Sequence, residues 1–257
     1  MSRLARVVIP GLAHHVTQRG NGRRQVFFSD ADYALYLRLL REACTEVRVS
    51  CLSFCLMPNH THLILVPATE DGLRRCLATV HRAYAGYLNA RRNVTGHFWQ
   101  GRYGSCPMDA AHLYEALRYV LLNPVRAGLV RSAALWRWSS ARSYLTGTGD
   151  DLTNPTRMLG VIPDMPAYLG DAPDLERLAR LRSGRTTGRP AADDDFIRRL
   201  EAQTNRRLRP GKRGVKPRPA PSSASLRGMM APAKRTGETW RVQSPRSAID
   251  CTVTEMH

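Results

Sequence analysis

The chain of 257 residues has room for one large domain or two small ones, and its 43% hydrophobic content is sufficient for a packed core. It carries 39 Lys and Arg residues against 21 Asp and Glu, a formal net charge of +18, so a polyanion such as nucleic acid is the expected partner. No apolar run approaches the ~18 residues of a membrane span, residues 1–10 lack a signal-peptide core, and the six cysteines include no C-x-x-C pair. These observations argue against a membrane protein or a disulfide framework, and favour a cytoplasmic, nucleoid-associated location.

The first ninety residues alternate between strand-like and helix-like hydrophobic patterns. A strand is expected over residues 13–17, where the chain alternates around two histidines. An amphipathic helix should begin at a capping box formed by Ser29 and Asp32 and continue to Val47. The remaining predicted elements of this part are a hairpin of strands over 49–56 and 60–66 and a helix over 71–93.

One further strand and one further helix complete the pattern. Residues 98–106 suit a strand, and Asp109 caps a helix that Asn123-Pro124 ends. The order β-α-β-β-α-β-α predicts an α+β fold with a ferredoxin-like (split β-α-β) antiparallel sheet and helices on one face. The expected units are a catalytic domain over 1–146, a basic helical or irregular extension over 147–219, and a disordered Ser/Pro/Arg-rich tail over 220–257.

The hairpin carries a histidine pair in the sequence Pro58-Asn59-His60-Thr61-His62. Side chains two residues apart in a strand point to the same face, so His60 and His62 can share one ion. Taken alone, such a pair is better explained by chance and a histidine that hydrogen-bonds in a turn, so the surrounding residues must decide. The last predicted helix adds Tyr119 and Asn123, which are i, i+4 neighbours and offer a phenol nucleophile and an amide oxygen for a metal.

These residue types suit the cleavage of a phosphodiester. A divalent ion can polarise the phosphate while a phenolate attacks, which leaves a phosphotyrosine and a free 3′-hydroxyl. The phenol has an ordinary pKa of about 10, so positive charge must lie near it. Two imidazoles alone favour zinc or copper, whereas an added amide, waters and phosphate oxygens suit Mg²⁺ or Mn²⁺, so the residues leave the metal open.

Candidate DNA contacts lie close to these groups in the sequence. The segment 96–103 mixes aromatic residues, glycines and a cation, a composition that suits stacking of unpaired bases and contact with phosphates. We expect at least one of Trp99 and Arg102 to contact DNA, although core packing is a competing explanation for the tryptophan. Arg19, in a basic turn, and Arg126, after the last predicted helix, are further candidates.

Four segments resemble the single-tyrosine HUH transposases of insertion sequences and, within them, the REP-associated tyrosine transposases. In chain order these segments are 15–21, 57–62, 96–103 and 118–130. The resemblance implies an HUH endonuclease fold and a metal-dependent enzyme that cleaves and rejoins single-stranded DNA at hairpins of palindromic repeats or insertion-sequence ends, as a monomer or homodimer. It implies that His60 and His62 hold the metal, that Tyr119 is the nucleophile and that Asn123 is the third ligand. Thr61 departs from the hydrophobic residue of the family pattern, although a β-branched residue still suits a strand.

Two alternatives are open at this stage. The chain could be a non-catalytic nucleic-acid-binding protein, because the same order of elements builds the RNA-recognition fold. It could also hold a structural zinc ion through Cys51, Cys55, His60 and His62, whose spacing is permissible but unfamiliar.

Overall fold

The computed structural model describes residues 6–209, with the side chain of Arg157 left aside. The predicted tail over 220–257, and the end of the predicted extension, lie outside the described residues. The sheet order is β2-β3-β1-β4 and every neighbouring pair is antiparallel, which confirms the ferredoxin-like arrangement. The strands are β1 His14–Arg19, β2 Val49–Met57, β3 His60–Pro67 and β4 Gly104–Pro107.

Helices connect and follow these strands, and the first three begin close to where their sequence signals predict. The Asp32 carboxylate accepts hydrogen bonds from the backbone N–H groups of Phe28 and Ser29, and Asp109 accepts one from the N–H of His112. The helices of the described residues are α1 Asp30–Glu46, α2 Gly72–Arg91, α3 Ala110–Leu121, α4 Asn123–Arg126, α5 Ala141–Thr146, α6 Thr156–Leu159, α7 Met165–Gly170, α8 Leu175–Thr187 and α9 Asp194–Thr204.

The strand predicted over 98–106 is largely wrong. Only its end is extended sheet, and the chain before Gly104 is a loop joined to β1 by one isolated bridge between Gly20 and Trp99. Gly101 has a positive φ of 67°, which turns the chain out of a strand path. The aromatic residues that made this segment look strand-like instead pack into the core from the loop, where Trp99 meets Tyr84 at a centroid distance of 5.9 Å.

Helices α1 and α2 cover one face of the sheet, as expected. Val16, Leu63 and Leu65 of the central strands point to this face and are fully buried in an apolar cluster. Burial of this cluster removes apolar side chains from water, which is the dominant favourable contribution to folding. We call this the core face.

The opposite face of the sheet is also covered, which the sequence did not predict. Helices α3 and α8 pack there against a second cluster that contains Ile64, Cys106 and Leu117. The contacts of α8 with β4 cross the predicted boundary at residue 146, so the described residues lie in one compact unit. A catalytic domain over residues 1–146 stays a prediction. No helix within 6–209 is both long enough and apolar enough to cross a membrane.

Candidate active site

The two central strands place three histidines side by side on the face opposite the core face. In the antiparallel register Thr17 lies opposite His62 and Arg19 opposite His60, which puts His15 diagonally across from His62. The His15 Nε2 and His62 Nδ1 atoms are 3.0 Å apart and hydrogen-bonded, while the His60 and His62 ring centroids are 4.8 Å apart. The structure therefore brings the predicted pair together and adds a third imidazole.

Hydrogen bonds at the Nδ1 atoms leave the Nε2 atoms of the pair available. His60 Nδ1 lies 2.6 Å from Asn59 Oδ1, and the amide nitrogen of Asn59 donates to the carbonyl of Arg23 at 3.3 Å. Because this second bond orients the amide, Asn59 Oδ1 accepts and His60 Nδ1 carries the proton. His62 Nε2 is buried and has no hydrogen-bond partner among residues 6–209. An orphaned buried imidazole nitrogen is costly unless a ligand meets it, and a cation fits that atom.

The three histidines are electrically neutral, the form that ligates a cation. Burial, followed by the charges of Arg19 and Arg185, lowers the pKa of His60 to about 3. Burial and Arg185 lower the pKa of His15 to about 3, and burial with the two neighbouring histidines holds the pKa of His62 well below its ordinary value. Proton competition for the ring nitrogens is therefore weak near neutral pH.

Helix α3 places Tyr119 directly against the histidines. Its ring lies edge-on to His62 and to His15, with centroid distances of 5.4 Å and 6.0 Å. The guanidinium carbons of Arg126 and Arg182 lie 4.9 Å and 5.8 Å from the centre of the same ring. Both guanidinium groups therefore lie over the aromatic ring at distances typical of cation–π contacts.

Asn123 is the first residue of α4, one helical turn after Tyr119. Its amide nitrogen is buried and has no hydrogen-bond partner within the described part of the chain. Between residues 6 and 209, no group of three His, Cys, Asp or Glu side chains is arranged to hold a metal ion. A divalent ion on His60 and His62 would thus need amide, water or phosphate oxygens to complete its shell, and Asn123 as a ligand stays a prediction.

A basic cleft of about 580 Å³ leads to His60. Four arginines line it, and none of them pairs with a carboxylate of the described residues; they are Arg19, Arg23, Arg102 and Arg185. By contrast, a cavity of about 700 Å³ beside α1 contains arginines that are already neutralised, such as Arg41 by Asp151. Unpaired cations beside the histidines make the basic cleft the better site for a polyanion.

Trp99 is engaged in packing. Its indole N–H donates to the carbonyl of His81 at 3.0 Å, and its ring meets those of Tyr36, His81 and Phe98. This is the competing explanation given above, and a DNA contact by Trp99 stays a prediction. Arg102, in contrast, is exposed and lines the cleft.

The structural zinc site is excluded by the sheet geometry. Cys51 belongs to the core-face cluster, whereas Cys55 lies opposite His62 in the register and belongs to the other cluster. A bulge between Cys51 and Ser53 shifts the alternation and separates the two thiols. The four proposed ligands therefore cannot surround one ion.

Sequence reasoning missed four residues of this site. His15 and Asn59 lie in two of the segments that carry the family resemblance, 15–21 and 57–62. Asn59 also directly precedes His60, so a supporting role for these residues could have been suggested. Arg182 and Arg185 had no comparable signal, because α8 reaches the site only through tertiary packing.

The structure thus has a His-x-His pair on a central strand of a ferredoxin-like sheet, with a tyrosine-bearing helix across it, which is the arrangement that the HUH resemblance implies. Residues 9–122 match the family model described as IS200-like transposase. The match covers less than half of the chain, and over this segment the chain is similar to that family.

Two solved structures are similar to the chain. One is a REP-associated tyrosine transposase bound to a REP hairpin, 18% identical, covering 59% of this chain and 90% of its own, with a TM-score of 0.50. The other is a putative transposase from Deinococcus radiodurans, 18% identical, covering 46% and 95%, with a TM-score of 0.34. The first supports the fold. No curated protein gives a significant match.

Proposed function

We propose that this protein is a transposase, a metal-dependent single-strand DNA endonuclease and transesterase that uses Tyr119 as its nucleophile. One observation carries the proposal: the Tyr119 ring lies against His62, whose buried Nε2 is unpaired within the described residues, beside a cleft of unneutralised arginines. A nucleophile, two neutral imidazoles and a phosphate-binding surface meet at one place, and together they suit phosphodiester transfer.

His60 and His62 would hold a divalent ion, Mg²⁺ or Mn²⁺, through their Nε2 atoms. When bound, such an ion supplies polarisation of a phosphate oxygen. The phenol of Tyr119 loses its proton to solvent while Arg126 and Arg182 stabilise the resulting charge. Its oxygen then bonds to phosphorus as the bond to the 3′-oxygen breaks and that oxygen gains a proton. The products are a 5′-phosphotyrosine and a free 3′-hydroxyl, which can reverse the reaction and rejoin a strand.

We propose hairpins of palindromic repeats, or insertion-sequence ends, as the substrate. The REP-associated transposase that shares the fold is bound to a REP hairpin, and the basic cleft here suits a DNA backbone. Contacts to phosphates would position the strand without reading its sequence. Arg19 and Arg102 are the expected cleft contacts, and the site of action would be the cytoplasmic nucleoid.

The test is adduct formation with single-stranded hairpins taken from palindromic repeats near the gene. With Mn²⁺ present, a 3′-labelled strand should migrate with the protein on a denaturing gel, whereas a 5′-labelled strand should be released with a free 3′-hydroxyl. Tyr119→Phe should abolish the adduct and EDTA should prevent it. Tyr114→Phe, on the same helix but packed against Tyr168, is the matched control and should retain it.

The opposite result would be an adduct that persists in Tyr119→Phe, or no adduct from any repeat-derived hairpin. Salt-sensitive binding that is indifferent to both Tyr119→Phe and EDTA would instead support the non-catalytic nucleic-acid-binding alternative.

A further inference from the structure

Helix α8 packs directly against β4, the edge strand next to β1. A Cβ atom at Gly104 would lie 2.6 Å from the carbonyl oxygen of Arg185, and one at Gly184 would lie 3.1 Å from the Cβ of Cys106. Neither position has room for a side chain, so the helix and strand backbones approach closely. Leu178 and Leu181 are buried in the adjoining cluster and hold the helix in this position.

One side of α8 presents two arginines to the active site. Arg182 and Arg185 are three residues apart and therefore neighbours on the helix surface. The Arg182 guanidinium lies beside the Tyr119 ring, and Arg185 lines the cleft together with His60. After burial, the positive charge of Arg185 contributes to the lowered pKa of both His60 and His15.

The remaining charges of α8 behave differently. Arg177 pairs with Asp174 at 3.0 Å, and Arg180 pairs with Glu176 at 2.9 Å, on the exposed side of the helix. No acid of the described residues pairs with Arg182 or Arg185.

Uncompensated cations are concentrated where the helix meets the cleft. Burial, then the charges of Arg185 and Arg23, lower the pKa of Arg19, so these like charges repel one another. Such a cluster is stabilised by a ligand that carries several negative charges. Arginine is well suited to this role, because its planar fork matches phosphate oxygens.

We propose that α8 is part of the active site, and that Arg185 and Arg182 bind two consecutive phosphates of a single DNA strand. Arg185 holds the phosphate beside His60, and Arg182 holds the one beside Tyr119. The inference rests on the proposed function for the reaction that follows binding, whereas the phosphate contacts themselves require only the charge and geometry given above.

The test compares Arg182→Gln and Arg185→Gln with Arg177→Gln in the full chain. All three remove one charge from the same helix, but Arg177 faces away from the site. Binding of a fluorescent single-stranded oligonucleotide is measured in EDTA, so that no cleavage occurs, over a range of salt concentrations. Each active-site variant should bind about 10-fold more weakly at low salt and reduce the slope of log K against log salt by about 0.7. Arg177→Gln should change affinity less than about 2-fold.

A second measurement tests whether the position of α8 on β4 is needed for binding, apart from the charge of its arginines. Gly184→Val should push α8 off β4 and weaken binding as much as the double substitution of Arg182 and Arg185, although no charge is lost. Thermal unfolding of each variant, followed by circular dichroism, identifies a variant that has lost its fold. Arg185→Lys should recover part of the affinity, because it restores the charge without the fork.

The outcomes separate this inference from the proposed function. If the Tyr119-dependent adduct forms but Arg182→Gln and Arg185→Gln bind like Arg177→Gln, the phosphate contacts are refuted and the nuclease stands. If no adduct forms but the two variants bind 10-fold more weakly than the control, the phosphate contacts stand and the reaction is refuted.

Discussion

Acidification should destabilise this protein well before its carboxylates are protonated, because of a buried histidine outside the active site. His81 lies on the buried side of α2 with its Nε2 3.1 Å from the Tyr36 hydroxyl, and its ring packs on Trp99 at a centroid distance of 4.9 Å. Burial lowers its pKa from 6.5 to about 3. The unfolded chain therefore binds nearly one more proton than the folded chain at pH 5. The stabilisation is complete above pH 6.5 and is lost as the pH falls from there towards 3.

The size of the effect follows from these two pKa values. Between pH 7 and pH 5, the free energy of unfolding should fall by about 2 kcal/mol for His81 alone. His14, which burial also holds at a lowered pKa of about 4, should contribute a similar amount over the same range. The two histidines together predict a loss of about 4 kcal/mol, a large fraction of the stability of a typical domain.

Urea unfolding at pH 7 and pH 5, in EDTA, measures the total loss. His15, His60 and His62, whose pKa values are also lowered, add to that total, so the share of His81 is obtained by comparison with a variant. His81→Gln keeps a hydrogen-bonding partner for Tyr36 but cannot titrate, so its loss between the two pH values should be about 2 kcal/mol smaller than that of the wild type. His97→Gln, at an exposed histidine, is the control for replacing an imidazole without disturbing the core. Equal losses for the wild type and His81→Gln would refute the reasoning.

Three further outcomes are expected. Asp32 is fully buried, caps α1 and pairs with Arg91, so Asp32→Asn should reduce the free energy of unfolding by about 3 kcal/mol in urea titrations; a change below about 1 kcal/mol would contradict this. His15→Phe removes the hydrogen-bond partner of a proposed metal ligand and should weaken Mn²⁺ binding about 10-fold or more by electron paramagnetic resonance, whereas His15→Gln, which can still accept, should weaken it less. Arg19→Gln should lower the salt dependence of single-strand binding by about one phosphate contact; an unchanged slope would remove Arg19 from the cleft contacts.

The sequence alone predicted the position of a side chain correctly where that position depends on neighbours in the same strand or helix. Alternation along a strand predicted that His60 and His62 share a face, and the register confirms it. The helix period predicted that Tyr119 borders the apolar side of α3, and that helix does lie over the histidines. Both rules involve neighbours within one element, so the residues alone contain the information.

The sequence did not predict how an element packs when the residues it packs against lie far away along the chain. Helix α8 is polar apart from a few residues such as Leu178 and Leu181, and this pattern predicts a helix without saying what it covers. Its docking depends on the absence of side chains at Gly104 and Gly184, which is visible only when the two backbones are side by side. The strand prediction around Trp99 was wrong for a related reason. The aromatic residues of this segment pack on the core from a loop, and they do not reflect strand pairing.

The two faces of β3 show why the histidine pair is spaced as it is. Leu63 and Leu65 point to the core face and are fully buried, whereas His60, His62 and Ile64 point to the other face. A shift of the strand by one residue would place leucines in the active site and histidines in the core, so the folding of the sheet itself selects the register that assembles the site.

The same alternation accounts for Thr61, the departure from the hydrophobic residue of the family pattern. Thr61 is fully buried on the core face beside Tyr36, on the side of the strand opposite the imidazoles of its two neighbours. The middle residue of the motif is therefore constrained by packing, and a threonine there leaves the paired imidazoles unchanged.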